Sequence, residues 1–324
     1  MSTSLKQVSQ LAASCGINFN GDVSRDESKL DPLTGASAVV HLGNLRTVGK
    51  AVAVKTFRFA PLEEEAAAEV TVSRISILVS QLIISIQRII QQAYAWSGLH
   101  HKNVLPFIGI VTTFDYAISF ITEWIDNGNA YDYVQNPEND PRPLLVDIAS
   151  GLNYLHNHEK GPIFHGDLRG RNVLVSKDGH ALLSDFSLSL LIDASFDTSA
   201  AAPIHPTLRW MPPEEIQGCE NPTVSSDVWS FGMTALELFT RAPPFHEIQS
   251  LRKVLTRILQ GPPERPSDKA TLFRLTDEWW KVCTLCCAHD PSQRPLMSDI
   301  SMRLGMPLVT FGPFNGFPLL ITLT

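Results

Sequence analysis

The sequence predicts an α+β chain of two lobes, the first rich in β-strand and the second mainly helical, with a cleft between them. Three observations predict this. Short strand-like runs punctuated by Gly21, Gly35, Gly43 and Gly49 fill residues 17 to 59. Further on, Leu145, Ile148, Leu152 and Leu155 fall on one face of a helix. Two short strands then follow, 173–175 and 181–183, joined by Lys177-Asp178-Gly179-His180, a sequence suited to a tight hairpin.

In chain order, residues 1–16 read as an N-terminal tail. Strands are expected at 17–20, 38–42 and 51–59, a helix over 62–96, and strands again at 104–112 and 117–124. Within that helix, 72–87 is a run of Ile, Leu, Val and Ser with only Arg74 charged. It is shorter than the roughly 20 apolar residues that a bilayer requires, so it reads as a lobe-packing helix or as an insertion. The lobes divide near residue 125, giving expected units of 17–125 and 126–304. The apolar tail 305–324 shows no periodicity.

The 324 residues are 44% hydrophobic, enough for one large core or two smaller ones. A net charge of −7 argues against a nucleic-acid partner, since phosphate binding needs a basic face. The five cysteines and the absence of an apolar leader point to reduced thiols in a cytoplasmic protein. Cys283, Cys286 and Cys287 suggest a metal box, but no second ligand pair stands at finger spacing, and a buried helical stripe is expected instead.

The chemistry concentrates in His165-Gly166-Asp167-Leu168-Arg169-Gly170-Arg171-Asn172, followed beyond the hairpin by Ser184-Asp185-Phe186-Ser187. Phosphoryl transfer asks a protein for a carboxylate that orients a hydroxyl, oxygen ligands for a divalent metal, and cations that offset growing charge. These two segments supply such groups from short loops.

The pair resembles the catalytic loop and magnesium-binding motif of protein kinases. More segments in the same order strengthen the resemblance: Val52-Ala53-Val54-Lys55, the hinge-like Ile121-Thr122-Glu123-Trp124-Ile125, Arg209-Trp210-Met211-Pro212-Pro213-Glu214, Ser226-Asp227-Val228-Trp229 and Asp290-Pro291-Ser292-Gln293-Arg294. The resemblance spans about residues 17 to 304, and the Arg-Trp-Met and Asp-Val-Trp-Ser-Phe-Gly segments point to the tyrosine-kinase-like group. It implies the bilobal protein-kinase fold, ATP and Mg2+ as cofactors, and a protein substrate phosphorylated on Ser or Thr rather than Tyr, with no membrane partner. By the same resemblance Asp167 is the catalytic carboxylate, Arg169 touches the transferred phosphate, and Lys55 contacts the α- and β-phosphates. Asn172 and Asp185 are the metal ligands. Gly35, Ala38, Val40, Ala53, Thr122, Glu123, Ile125 and Leu174 surround the nucleotide. Asp227 holds the catalytic-loop backbone, and Glu214 pairs with Arg294.

Four departures stand out. The glycine-rich loop carries Leu33, Gly35 and Ala38 at its three glycine positions, which limits close backbone approach to phosphates. The helix Glu that pairs with the strand Lys falls on Gln92, after a separation lengthened by about the run 72–87. Gly166 replaces an Arg before Asp167, and Ser187 replaces a Gly after Phe186. These leave a second reading open, a pseudokinase that keeps the fold as a binding or scaffold module.

Overall fold

The computed structural model of the chain describes residues 3–26, 32–34, 38–57, 90, 93–114, 117–185, 206–219 and 222–305. The first lobe is an antiparallel sheet. Its strands are β1 (Val23–Arg25), β2 (Leu33–Thr34), β3 (Ala38–Leu45), β4 (Lys50–Phe57), β5 (Phe107–Val111) and β6 (Ser119–Glu123). The order is β1-β3-β4-β6-β5, with β2 also paired to β3. Alternation along β4 separates the two faces. Val52 and Val54 pack with Val23, Leu45, Val111 and Ile121 into a small closed core. Ala53 and Lys55 therefore project to the opposite side.

Two segments differ from the sequence expectation. Residues 1–16 hold a helix, α1 (Thr3–Ser14), whose Val8 and Ala12 are fully buried. The signal was the four-residue spacing of two small apolar side chains, too sparse to stand out. Residues 17–20 make an isolated bridge, Asn18 with Ile110, rather than a strand. There Asn20 Oδ1 accepts from the Thr112 amide at 2.7 Å, and Asn18 Nδ2 donates to the Ser9 carbonyl at 2.7 Å. These side-chain bonds stand beside the two backbone bonds of the bridge, from the Phe19 amide to Ile110 at 2.9 Å and from the Ile110 amide to Ile17 at 2.7 Å. Gly109 permits the approach, since a Cβ there would stand 2.3 Å from the Phe19 ring. Of the long helix expected over 62–96, residue 90 and residues 93–97 are helical. The run 72–87 lies outside the described residues.

The second lobe comprises α2 (Ala130–Tyr133), α3 (Pro141–His156), the hairpin β7 (Val173–Val175) and β8 (Ala181–Leu183), then α4 (Pro213–Ile216), α5 (Val224–Thr240), α6 (Leu251–Leu259), α7 (Asp277–Cys286) and α8 (Met297–Arg303). Asp140 caps α3 by accepting from the Arg142 amide, with Pro141 at the first turn. Leu145, Ile148, Leu152 and Leu155 are all buried, as the helical period predicts. Thr223 and Ser226 form a capping box at the start of α5. That helix is the lobe's axis, buried on nearly every face. Cys286 and Cys287 pack against Gly232 of α5, where a Cβ would meet the Cys287 Sγ at 2.7 Å. The three cysteines are buried thiols, with Cys283 pushed up to about 12 by burial, and no metal-ligand cluster occurs among the described residues. No described helix is long and apolar enough to cross a membrane.

The lobes are tied by backbone bonds. Leu105 donates to Leu183 and Leu183 to Asn103, each at 2.9 Å.

Candidate active site

The cleft face of the sheet follows from strand register. Val40 stands opposite Lys55, and Thr122 opposite Ala53. Cross-strand partners share a face, so Ala38, Val40, Ala53, Lys55 and Thr122 line one surface. Thr122 is buried and Glu123 half-buried, and the Glu123 carboxylate pairs with Lys50 at 2.9 Å. The segment after β6 turns at Gly128, whose amide donates to the Ile125 carbonyl at 3.2 Å. Asn129 then bridges to Leu174 of β7. This brings Ile125 and Leu174 to the edge of the same cleft. Gly35, Phe186, Ser187 and Gln92 lie outside the described residues.

Below the sheet, Asn172 Nδ2 donates to both the Asp167 carbonyl and Asp167 Oδ2, each at 2.7 Å. Arg169 Nη2 stands 3.4 Å from Asp167 Oδ2. Asp185 follows β8 with φ 59°, a left-handed backbone that few residues but Gly, Asn and Asp tolerate. Its Oδ1 meets Lys55 Nζ at 2.6 Å, with both side chains about a quarter exposed. Strand β4 and hairpin β7–β8 thus bring Lys55, Asp167, Asn172 and Asp185 into one cluster, with Arg169 on its rim.

The cluster rests on buried charge. Asp227 of α5 accepts from the His165 amide at 2.7 Å, the Gly166 amide at 2.9 Å and His156 Nε2 at 2.8 Å. Burial alone would raise the Asp227 carboxyl. The His156 hydrogen bond and charge, the charge of His165 and the Gly166 amide outweigh it and hold Asp227 below its ordinary value. Burial pushes the His165 imidazole down. Gly166 has φ +74°, so a glycine there accepts the turn without a Cβ penalty. Glu214 and Arg294 form a two-pronged pair at 2.6 and 2.8 Å, with the Arg294 side chain fully buried.

Sequence reasoning missed three features. His156 is the second partner of Asp227. Lys55 pairs directly with Asp185. Glu237, 2% exposed, lies under the catalytic loop and accepts from the Gly170 amide. Its signal was available as the one acidic residue within the apolar run 231–239. A cavity of about 450 Å³ bounded by Arg142, Val146, Trp279 and Arg303 lies among α3, α7 and α8, remote from this cluster.

A family model for protein tyrosine and serine/threonine kinases matches residues 34–304. The chain belongs to that family. It is 28% identical over 208 residues to a probable serine/threonine-protein kinase of Dictyostelium discoideum, covering 62% of this chain and 39% of the relative. It is 29% identical to MAP3K epsilon protein kinase 2 of Arabidopsis thaliana, covering 64% of this chain and 15% of the relative. It is 28% identical to the human serine/threonine-protein kinase TNNI3K, covering 64% and 24%. The chain therefore spans less than two fifths of the length of these relatives. The match agrees with the bilobal kinase fold read from the sequence, and the relatives' names are consistent with the tyrosine-kinase-like group.

Proposed function

We propose that this kinase domain transfers the γ-phosphate of Mg-ATP to Ser or Thr hydroxyls of protein substrates. The observation that carries the proposal is the convergence of Lys55, Asp167, Asn172 and Asp185 on one cleft. Asp167 orients the acceptor hydroxyl and takes its proton, held in place by the Asn172 amide. Lys55 steadies the α- and β-phosphates. Arg169 offsets charge on the moving phosphoryl group. Asn172 and Asp185 offer oxygen ligands, the donor type that magnesium prefers, and two protein ligands suit an ion that keeps waters and phosphate oxygens. Magnesium, when bound, neutralises phosphate charge. Val40, Ala53, Thr122 and Leu174 give the adenine an apolar slot, and the backbone at Glu123 and Ile125 gives it hydrogen bonds. The relatives' printed names, all protein kinases of the serine/threonine or MAP3K type, support the substrate class.

A pseudokinase reading is favoured by one observation, the 2.6 Å pair between Lys55 and Asp185. Both groups would have to turn from each other toward phosphate and metal. The test is transfer of labelled γ-phosphate to a generic protein by the full chain, followed by phosphoamino-acid analysis. Magnesium-dependent label on Ser or Thr is the expected result. Label on Tyr would correct the specificity, and no transfer alongside intact nucleotide binding would favour the pseudokinase.

A further inference from the structure

Residues 3–20 stand ahead of the kinase-family match, which begins at residue 34, yet they are built into the first lobe. Helix α1 ends in a Schellman turn. Gly16 has φ +69°, its amide donates to the Ala13 carbonyl, and the Ile17 amide donates to the Ala12 carbonyl, both at 3.0 Å. The turn sends the chain back along β5, the edge strand of the sheet, where Ile110 takes both backbone bonds of the bridge. Asn20 adds a side-chain tie, its Nδ2 donating to Ser9 Oγ and to Thr112 Oγ1, each at 2.9 Å.

Strand register carries this attachment to the active site. Asn18 faces Ile110, Ile110 faces Phe120, and Phe120 faces Lys55. These residues form one row across the sheet, from its β5 edge to the strand that bears the lysine. Ile110 and Phe120 are buried in the same cluster as Val8, Ala12 and Ile17. That cluster lies on the Lys55 side, because cross-strand partners share a face and the core of Val52 and Val54 takes the other. Trp96 packs on the row, its ring centroid 6.2 Å from that of Phe120 and its indole Nε1 donating to the Leu105 carbonyl at 2.8 Å.

We propose that residues 3–20 are a positioning strap for Lys55, closing the β5 edge of the sheet and, through the row of Ile110 and Phe120, fixing where the lysine amine meets the nucleotide. The inference rests on the kinase reading above. The strap touches no reacting atom and acts through Lys55. A close-packed row passes a shift of its outer member inward, since protein interiors leave little free volume to absorb it. Gly109 is the point at which the strap can be released. A Cβ there would stand 2.6 Å from the Ile17 carbonyl oxygen and would press on the Phe19 ring as well. A backbone oxygen cannot turn aside as a side chain can, so Gly109→Ala lifts the strap from β5.

The experiment measures Mg-ATP affinity by calorimetry on the full chain in wild type, Gly109→Ala, Lys55→Met and the double variant. Hydrogen exchange at the Phe19 and Ile110 amides reports on the strap itself. Gly109→Ala is expected to speed exchange at both amides. It should also weaken Mg-ATP roughly 2- to 30-fold, the range for a substitution that acts through a coupled network. In the Lys55→Met background the same change should leave the affinity where it stands. Asn20→Ala removes the side-chain tie only and is expected to act in the same direction by a smaller factor, again only where Lys55 is present. It decides the matter if Gly109→Ala fails to fold. Equal weakening in both backgrounds would overturn the proposal, because the strap would then support the lobe without acting through Lys55. Unchanged affinity with both amides released would overturn it too, as would exchange that neither variant speeds. Wild type that binds Mg-ATP but transfers no phosphate would defeat the kinase reading, while the binding cycle still decides the strap. Wild type that binds no nucleotide would defeat both.

Discussion

Two layers of charge meet at the cleft and live under different physical rules. The upper layer, Lys55, Asp167, Asn172 and Asp185, meets water mainly through its Lys55–Asp185 ion pair, about a quarter exposed, while Asn172 is buried. The lower layer, Asp227, Glu237 and the Glu214–Arg294 pair, is more deeply buried, with about a fifth of the Glu214 side chain exposed, and each of its carboxylates is hydrogen-bonded. A water-accessible charge can change partner during a reaction at small cost. A buried charge cannot, because losing its partner leaves it desolvated and unpaired. The upper layer is built for exchange and the lower for holding still.

Substitutions can break that contrast. The largest effect is expected in the upper layer. Asp167→Asn should lower kcat by about 10²- to 10⁴-fold, the range for a lost acid–base group, and leave the unfolding midpoint close to wild type. Turnover and thermal unfolding on the same preparation check both halves. In the lower layer, Arg294→Ala strands Glu214 and should destabilise the fold by about 3–5 kcal/mol, read by denaturant unfolding.

The pH dependence sharpens the comparison. Glu215 is pushed up to about 7, mainly by burial, against a hydrogen bond from Ser226. A carboxyl raised in the folded state binds more protons there than in the unfolded chain. Its contribution is therefore fully present below about 4.5 and lost as pH rises through about 7. Glu215→Gln should flatten that decline, gaining at most roughly 3 kcal/mol relative to wild type between pH 4 and 8. Unfolding curves at a series of pH values give the slope, and parallel curves for the two proteins would contradict the assignment. The smallest effect belongs to the surface. Lys50→Ala breaks an exposed pair with Glu123 and should cost under about 1 kcal/mol, less again in high salt.

The sequence made the upper layer legible and the lower one only in part. Asp167, Asn172 and Asp185 sit in short loops next to a hairpin, where spacing along the chain nearly fixes spacing in space. Asp227 and the Glu214–Arg294 pair were expected through resemblance, and their contacts took the expected form. Glu237 was missed because its partners, Gly170 and Trp210, lie 67 and 27 residues away in sequence. Only the packing of α5 under the loop brings them together. Gly166 looked like a lost cation, yet its φ of +74° supplies a backbone reason for a glycine there. The stretch 17–20 differs for a related cause: a strand was expected, while the pairing stops at one bridge and Asn18 and Asn20 bond through their side chains to Ser9 and Thr112. The reading of Gly35, Gln92 and the run 72–87 falls outside the described residues.

The most direct test compares wild type with Asp167→Asn and Asp227→Asn, recording Mg-ATP phosphotransfer and unfolding midpoint together. Two layers with different duties predict that Asp167→Asn loses nearly all turnover at an unchanged midpoint, while Asp227→Asn loses stability along with turnover. Equal losses of stability in the two variants, or wild-type turnover in Asp167→Asn, would contradict the account.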